Sequence, residues 1–218
     1  SINHKYFDFR NQEEAKKDLG QRHLRSLDTI NSILQFSKKK TIEEKSTFLD
    51  VGCGDGSFFK FLIERKINAT GCDIDQVNFE SDSLPYPDNF FSHVMLYSVI
   101  EHVNNSANLL TEIKRVLQTD GNLIIITPNF RFCYSTFYDD PTHIKPFTDV
   151  SIHKILSMYN YKNILVKPWT VNYTNFIWGL PFSFFYSHYV IPFKNDNSDF
   201  IPKILKGKSS TMVAVCSK

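Results

Sequence analysis

A glycine at every second position from Gly52 to Gly56, directly behind the apolar run Thr47-Phe48-Leu49-Asp50-Val51, constrains this 218-residue chain more than any other feature. The run reads as a short buried strand. The glycines stop it, let the backbone turn tightly, and allow it to approach a ligand with its amide groups pointed inward. Phe58, Phe59, Phe61, Leu62 and Ile63 then supply the apolar face of a helix. Strand, glycine turn and helix in that order call for a parallel sheet covered on both faces.

The remaining chain continues the alternation. Residues from Asn11 to Ser37 read as an amphipathic helical region, with Leu24, Leu27, Ile30, Ile33, Leu34 and Phe36 at helical spacing and Gly20 as an interruption. Lys38 to Ser46 is a polar linker. Strands are expected over Ala69–Ile74, His93–Tyr97, Leu123–Thr127, Asn163–Lys167 and Thr211–Cys216. One helix presents Leu109, Leu110, Ile113, Val116 and Leu117, and a second runs from Asp149 to Tyr159, with Asp149 in a capping role. The Asp120-Gly121 turn precedes the Leu123 strand and Pro128 ends it. Val171 to Ser210 is rich in aromatic residues without regular periodicity and reads as an insertion.

The expectation is one α/β domain over residues 1–218. It has a helical cap (1–46), a ligand-binding core (47–168), an aromatic lid or insertion (169–210) and a final strand (211–218). The fold class is Rossmann-like and doubly wound, mostly parallel, with an antiparallel C-terminal strand and a sheet edge trimmed after the second strand.

The loop chemistry narrows the ligand. Ser57 stands where a dinucleotide fingerprint has its third glycine, and no Lys-Ser/Thr follows, which excludes a phosphate-cradling P-loop. Asp50, two residues before Gly52 near the strand's carboxyl end, suits a cationic group better than an anionic one. Asp73, 19 residues after Gly54, can accept both hydroxyls of a ribose. A site for a zwitterionic amino acid beside a site for a ribose describes S-adenosylmethionine (SAM). The bland reading of both aspartates is a turn or capping role.

Residues from about 47 to 128 resemble the SAM-binding half of class I SAM-dependent methyltransferases, in a small type-11-like branch. The first motif is Leu49-Asp50-Val51-Gly52-Cys53-Gly54-Asp55-Gly56, and the second is Gly71-Cys72-Asp73-Ile74. An adenine-edge motif is similar to Ser81-Asp82-Ser83-Leu84-Pro85-Tyr86-Pro87-Asp88-Asn89-Phe90-Phe91. A strand-end motif is similar to Leu96-Tyr97-Ser98-Val99-Ile100-Glu101-His102-Val103, and a further strand to Gly121 through Pro128. The resemblance implies that Asp50, Gly52, Gly54, Asp73 and Ile74 hold the donor. It implies that Asp82 binds the adenine amino group with Ser83 beside it, that Tyr97 and Ser98 lie under the methionine portion, and that His102 stands next to it. One departure is visible: eight residues separate Asp73 from Asp82, too few for a helical crossover. Either a vestigial strand at Val77–Phe79 is reached by a tight loop, or this edge is trimmed.

The acceptor is expected after the strand ending at Thr127. Asp139-Asp140-Pro141-Thr142-His143-Ile144-Lys145-Pro146-Phe147 resembles a "D-P-T-H-x-x-P-F" stretch of methyltransferases associated with bacterial surface polysaccharide and small-molecule pathways. His143 is the candidate general base, against a structural role bridging loop backbone. Asp139 and Asp140 could orient it or bind a cationic acceptor. His4, Tyr6 and Arg25 are candidates for acceptor or methionine-carboxylate contacts, and Tyr6, Phe7 and the helix after them are expected to close the SAM pocket from the other side. The aromatic stretch 169–193 reads as a lid, a dimer interface or a membrane-surface patch, in a monomer or homodimer.

The leading function is therefore O-methylation of a small-molecule or glycan acceptor with SAM as donor, S-adenosylhomocysteine as product, and no metal. N-methylation of an amine such as a phosphorylated amino-alcohol is an alternative. An RNA or protein methyltransferase, or a non-catalytic SAM-binding partner subunit, are others. A net charge of +2 offers no global case for nucleic acid, and Lys38-Lys39-Lys40 reads as a solvated helix end. Four cysteines without CxxC spacing argue against a zinc site or disulfide framework and fit a cytoplasmic protein, as does the lack of a transmembrane run.

Overall fold

The computed structural model describes residues 19–170, 174–191, 193–194 and 206–218. His4, Tyr6, Phe7 and the expected helical residues 11–18 lie outside them.

The sheet consists of β1 (Thr47–Val51), β2 (Asn68–Cys72), β3 (Phe91–Tyr97), β4 (Leu117–Pro128), β5 (Lys162–Pro168) and β8 (Thr211–Ser217). Their order is β2-β1-β3-β4-β8-β5. The first four are parallel, while β8 runs antiparallel to both β4 and β5. Two short strands, β6 (Phe193–Lys194) and β7 (Lys206–Lys208), pair apart from it. The main helices are α1 (Leu19–Phe36), α2 (Ser57–Glu64), α3 (Ala107–Val116), α4 (Asp149–Met158) and α5 (Thr174–Gly179).

Alternation along the strands divides the core in two. Leu123 and Ile125 of β4 pack into one cluster with α3 and α4 through Leu110, Ile113, Ile152 and Leu156. Ile124 and Ile126 point to the opposite face and pack with α1 and α2 through Ile30, Ile33, Leu34 and Leu62. All four β4 residues are fully buried, as a parallel strand covered on both sides requires. Each such side chain contributes about 1.5–3 kcal/mol by leaving water, so the centre of the sheet is its most stable part.

Several boundaries differ from the sequence expectation. Gly20 is the second residue of α1, and the part of the expected helical region before Leu19 lies outside the described residues. The Asp120-Gly121 turn does not precede a strand; it is a bulge within β4. Phe91 pairs with Leu117 and His93 with Asn122, so the intervening residues leave the ladder, with Asp120 at φ 60°. Val77–Phe79 forms no strand. After β2 the chain turns, with Gln76 N and Val77 N donating to the Asp73 carbonyl, and Val77 and Phe79 drop into the core as plugs. β2 is thus the sheet edge. The cap of α4 is Thr148, not Asp149: its hydroxyl accepts from Ser151 N while the Ser151 hydroxyl accepts from Thr148 N, a reciprocal capping box.

The aromatic segment begins by packing onto the α1 face. Trp178 is fully buried, its Nε1 donates to the Pro168 carbonyl at 2.9 Å, and its ring meets Phe36 edge-on. Beyond it, Phe182, Phe185 and Tyr189 are exposed, while Phe132 stacks on Phe184 and contacts His188. No helix among the described residues is long and apolar enough to cross a membrane. Trp178→Ala is expected to lower the urea unfolding free energy by about 3–5 kcal/mol, the usual cost of deleting a buried aromatic. A loss below about 1 kcal/mol would show that this segment contributes nothing to the core.

Candidate active site

The glycine loop is held at its backbone by the end of β2. Gly52 N and Cys53 N both donate to the Cys72 carbonyl, at 2.8 and 3.2 Å. Gly54 N donates to Asp73 Oδ2, and Asp73 Oδ1 accepts from Ile74 N at 2.6 Å. Asp73 lies just beyond β2 rather than inside it. Gly52 has φ 75°, and a Cβ there would be driven into Val99. Gly54 has φ 56° and open space where a side chain would begin. Glycine is therefore required at the first position by conformation and clash, and at the second by conformation alone.

The loop forms one wall of a cavity of ≈ 180 Å³. Asp50, Gly52 and Gly54 line it from β1 and the loop, and Tyr97 and Ser98 from the end of β3. Ser98 is a non-glycine residue at φ 54°, held by its N–H on the Ile126 carbonyl; such costly backbone collects at functional sites. The opposite wall is α1, through Leu19, Arg22, His23 and Ser26. These polar residues escaped the sequence reading, which proposed Arg25. Leu19, His23, Ser26, Ile30 and Ile33 share one helical stripe, and its change from apolar to polar was the available signal. Arg25 does not line the cavity; its carbonyl accepts the Thr29 hydroxyl.

Asp50 is fully buried, and its carboxyl is pushed up to about 7, by burial first and then by Asp73 and Asp55. A buried carboxylate with Asp55 beside it in the cavity lining and Asp73 acting on it from outside that lining gains most from a cation. Cys53 also lines the cavity, but burial and then the nearby Asp50 and Asp73 push its thiol up to about 12, so it stays protonated and is no nucleophile. His23 is lowered by burial, then by Arg22, and stays neutral at pH 7. A buried carboxyl for a cation and an unfilled approach at Gly54 fit the donor implied by the motifs.

The other expected donor residues, Asp73, Ile74, Asp82, Ser83 and His102, are not among the cavity lining. Ile74 is half exposed. Asp82 and Ser83 are exposed, and the Asp82 carboxylate accepts from Asn78 N and the Ser81 hydroxyl, which hold it below the usual range.

A second cluster forms where the chain leaves β3 and β4. His102 and His143 come together with ring centroids 4.8 Å apart. The cause is backbone: Ile144 N and Lys145 N both donate to the Glu101 carbonyl at 3.0 Å, docking the 142–147 loop onto the short turn Ile100–His102. His143 Nδ1 lies 2.6 Å from the Phe137 carbonyl, and His143 Nε2 lies 3.8 Å from Asp140 Oδ2. Asp140 Oδ1 accepts from Thr142 N and the Thr142 hydroxyl. Asp139 is exposed and outside the cluster. Glu101, which sequence reasoning passed over, is fully buried, with Oε2 accepting from the Thr127 hydroxyl at 2.9 Å.

Comparison with known proteins agrees with this geometry. A family model described as a methyltransferase domain matches residues 21–166. An uncharacterized protein of Methanocaldococcus jannaschii is 29% identical over 157 residues, 65% of this chain; the chain spans 64% of that relative's length. A SAM-dependent methyltransferase from Archaeoglobus fulgidus superposes with a TM-score of 0.56 at 20% identity, over 89% of this chain and 94% of its own. A possible histamine N-methyltransferase from Thermotoga maritima gives 0.59 at 13% identity, covering 99% of each chain. A third SAM-dependent methyltransferase, from Mesorhizobium loti, gives 0.60 at 11% identity, over 88% of this chain and all (100%) of its own. The chain therefore belongs to the methyltransferase-domain family, and its fold is that of the SAM-dependent methyltransferases it superposes on.

Proposed function

We propose that the protein transfers a methyl group from SAM to a hydroxyl oxygen of a small-molecule or glycan acceptor, with His143 taking the proton. The observation carrying this is the 2.6 Å contact of His143 Nδ1 with the Phe137 carbonyl. A carbonyl only accepts, so Nδ1 bears the hydrogen and Nε2 is left with the lone pair a base needs. The cluster also stands at the carboxyl ends of parallel strands, where open α/β sheets bind their ligands.

SAM, when bound, supplies an already activated methyl group, so the protein's task is to align the acceptor, remove its proton and exclude water. In this reading Asp50 pairs with the aminium group and Arg22 with the carboxylate of the amino acid. Asp73 receives the ribose hydroxyls: each of its oxygens takes one backbone N–H and keeps acceptor capacity. Tyr97 and Ser98 floor the methionine portion. The adenine contact of Asp82 and Ser83 rests on motif order.

Two outcomes follow. Asp50 must be ionised to hold an aminium group, and its carboxyl titrates at about 7 in the ligand-free protein. S-adenosylhomocysteine affinity should fall by up to about tenfold per pH unit below 7, with a proton released on binding. Asp50→Asn should weaken binding and flatten this profile; an unchanged slope in calorimetry would remove Asp50 from the aminium site. Raised from 3.8, the same group makes the ligand-free fold lose stability as pH climbs through that window to about 7. For the acceptor half, His143→Ala should lower kcat with a hydroxylated acceptor by about 10²–10⁴-fold while leaving S-adenosylhomocysteine affinity unchanged. Full activity in that variant would overturn the base assignment.

A further inference from the structure

We infer that Glu101, His102 and His143 form a binding site for a divalent first-row transition ion, whose open position holds the acceptor's hydroxyl oxygen. One donor atom from each of the three residues lies within 4.8 Å of the others. Proximity alone would carry little. The hydrogen bonds behind the donors carry the argument.

Both imidazoles are fixed with Nδ1 protonated. For His143 the Phe137 carbonyl requires it. For His102, Nδ1 lies 3.0 Å from both the carbonyl and the hydroxyl oxygen of Thr142. The Thr142 hydroxyl gives its hydrogen to Asp140 Oδ1 at 2.6 Å, so it too can only accept from His102. Each ring therefore carries its lone pair on Nε2. An imidazole whose other nitrogen donates to a backbone carbonyl is the usual outer support of a metal-bound histidine, fixing tautomer and orientation. The carboxylate is supported likewise, with Thr127 donating to Glu101 Oε2. Three donors from two segments are thus oriented by three separate hydrogen bonds, and the loop bearing His143 is clamped by its backbone to the carbonyl of Glu101 itself.

Two imidazoles and one carboxylate suit zinc, cobalt or iron(II) better than magnesium or calcium, which prefer all-oxygen sets. Three protein donors leave coordination positions open, the pattern of catalytic rather than structural ions. Donors around a tetrahedral ion stand about 3.3 Å apart for bonds of about 2.0–2.1 Å, so the cluster draws inward on binding. The site uses no cysteine, and cysteine spacing accordingly gave no sign of it.

This inference rests on the hydroxyl-acceptor reading and changes how the proton is removed. The hydroxyl oxygen would bind the ion and its O–H bond would ionise with the proton passing to solvent; the resulting alkoxide would attack the methyl carbon of SAM, forming the O–CH3 bond as the S–CH3 bond breaks and its electron pair leaves on sulfur as S-adenosylhomocysteine. His143 then serves as ligand instead of base.

The test is titration of cobalt(II) into the chelator-treated full chain, followed by visible absorption and calorimetry. One ion per chain is expected, displaced by zinc and not by magnesium. His143→Ala and Glu101→Gln should each weaken binding by at least about tenfold, whereas Asp50→Asn should retain it while losing S-adenosylhomocysteine affinity. Retained S-adenosylhomocysteine binding in the first two variants serves as their folding control. Absence of a stoichiometric ion, or equal binding by both variants, would overturn the site. A bound ion whose removal leaves methylation of a hydroxyl unchanged would overturn its role and leave His143 as base. Methylation confined to amines would overturn the hydroxyl reading, even if the ion binds.

Discussion

The end of the edge strand grips three amides of the glycine loop in sequence. The Cys72 carbonyl accepts from Gly52 N and Cys53 N, and the Asp73 carboxylate accepts from Gly54 N. The cavity depends on this grip, because it fixes where the β1 backbone turns and leaves Asp50 facing inward without a cationic side chain of its own strand. It also explains why a trimmed sheet is tolerated. A further strand beyond β2 is not needed to hold the loop, and Val77 and Phe79 fill the edge as side chains instead of as a ladder. The repulsion among Asp50, Asp55 and Asp73 is the cost of that arrangement, and a bound cation relieves it.

A second backbone clamp builds the histidine cluster. Glu101 contributes its carbonyl to Ile144 and Lys145 and its carboxylate to Thr127, so one residue joins β3, β4 and the loop after them. The two histidines meet because of it. The donor cavity and the histidine cluster therefore share β3 as a common support, with Tyr97 and Ser98 on one side and Glu101 and His102 three residues further along.

What was legible in the sequence followed local physics. β1 matched its apolar run residue for residue, and α2 and α4 fell within a residue or two of their periodic faces, because burial on known faces leaves little freedom. The glycine loop was readable for the same reason: Gly52, Gly54 and Gly56 follow β1 directly in the chain and take the positive φ their spacing suggests. Misreadings arose where distant partners decide. The Asp120-Gly121 pair is a turn chemically, but pairing of β4 with both β3 and β8 carries the strand through it. Glu101 was invisible because a lone acid after an apolar run reads as a helix start; its burial depends on Thr127, 26 residues on. Arg22 and His23 belong to a helix whose position over the loop no local pattern specifies.

The central claim is that the cavity between the glycine loop and α1 holds the methyl donor, with the ribose reaching beyond the cavity lining to Asp73, which is hydrogen-bonded to the loop at Gly54. The most direct measurement is calorimetric titration of S-adenosylhomocysteine into wild-type protein and into Asp73→Ala. The account predicts one site per chain in the wild type and a loss of about 2 kcal/mol or more in the variant, as expected when a charged hydrogen-bond acceptor is removed. Equal affinity in the two proteins, or no binding to the folded wild type, would contradict it.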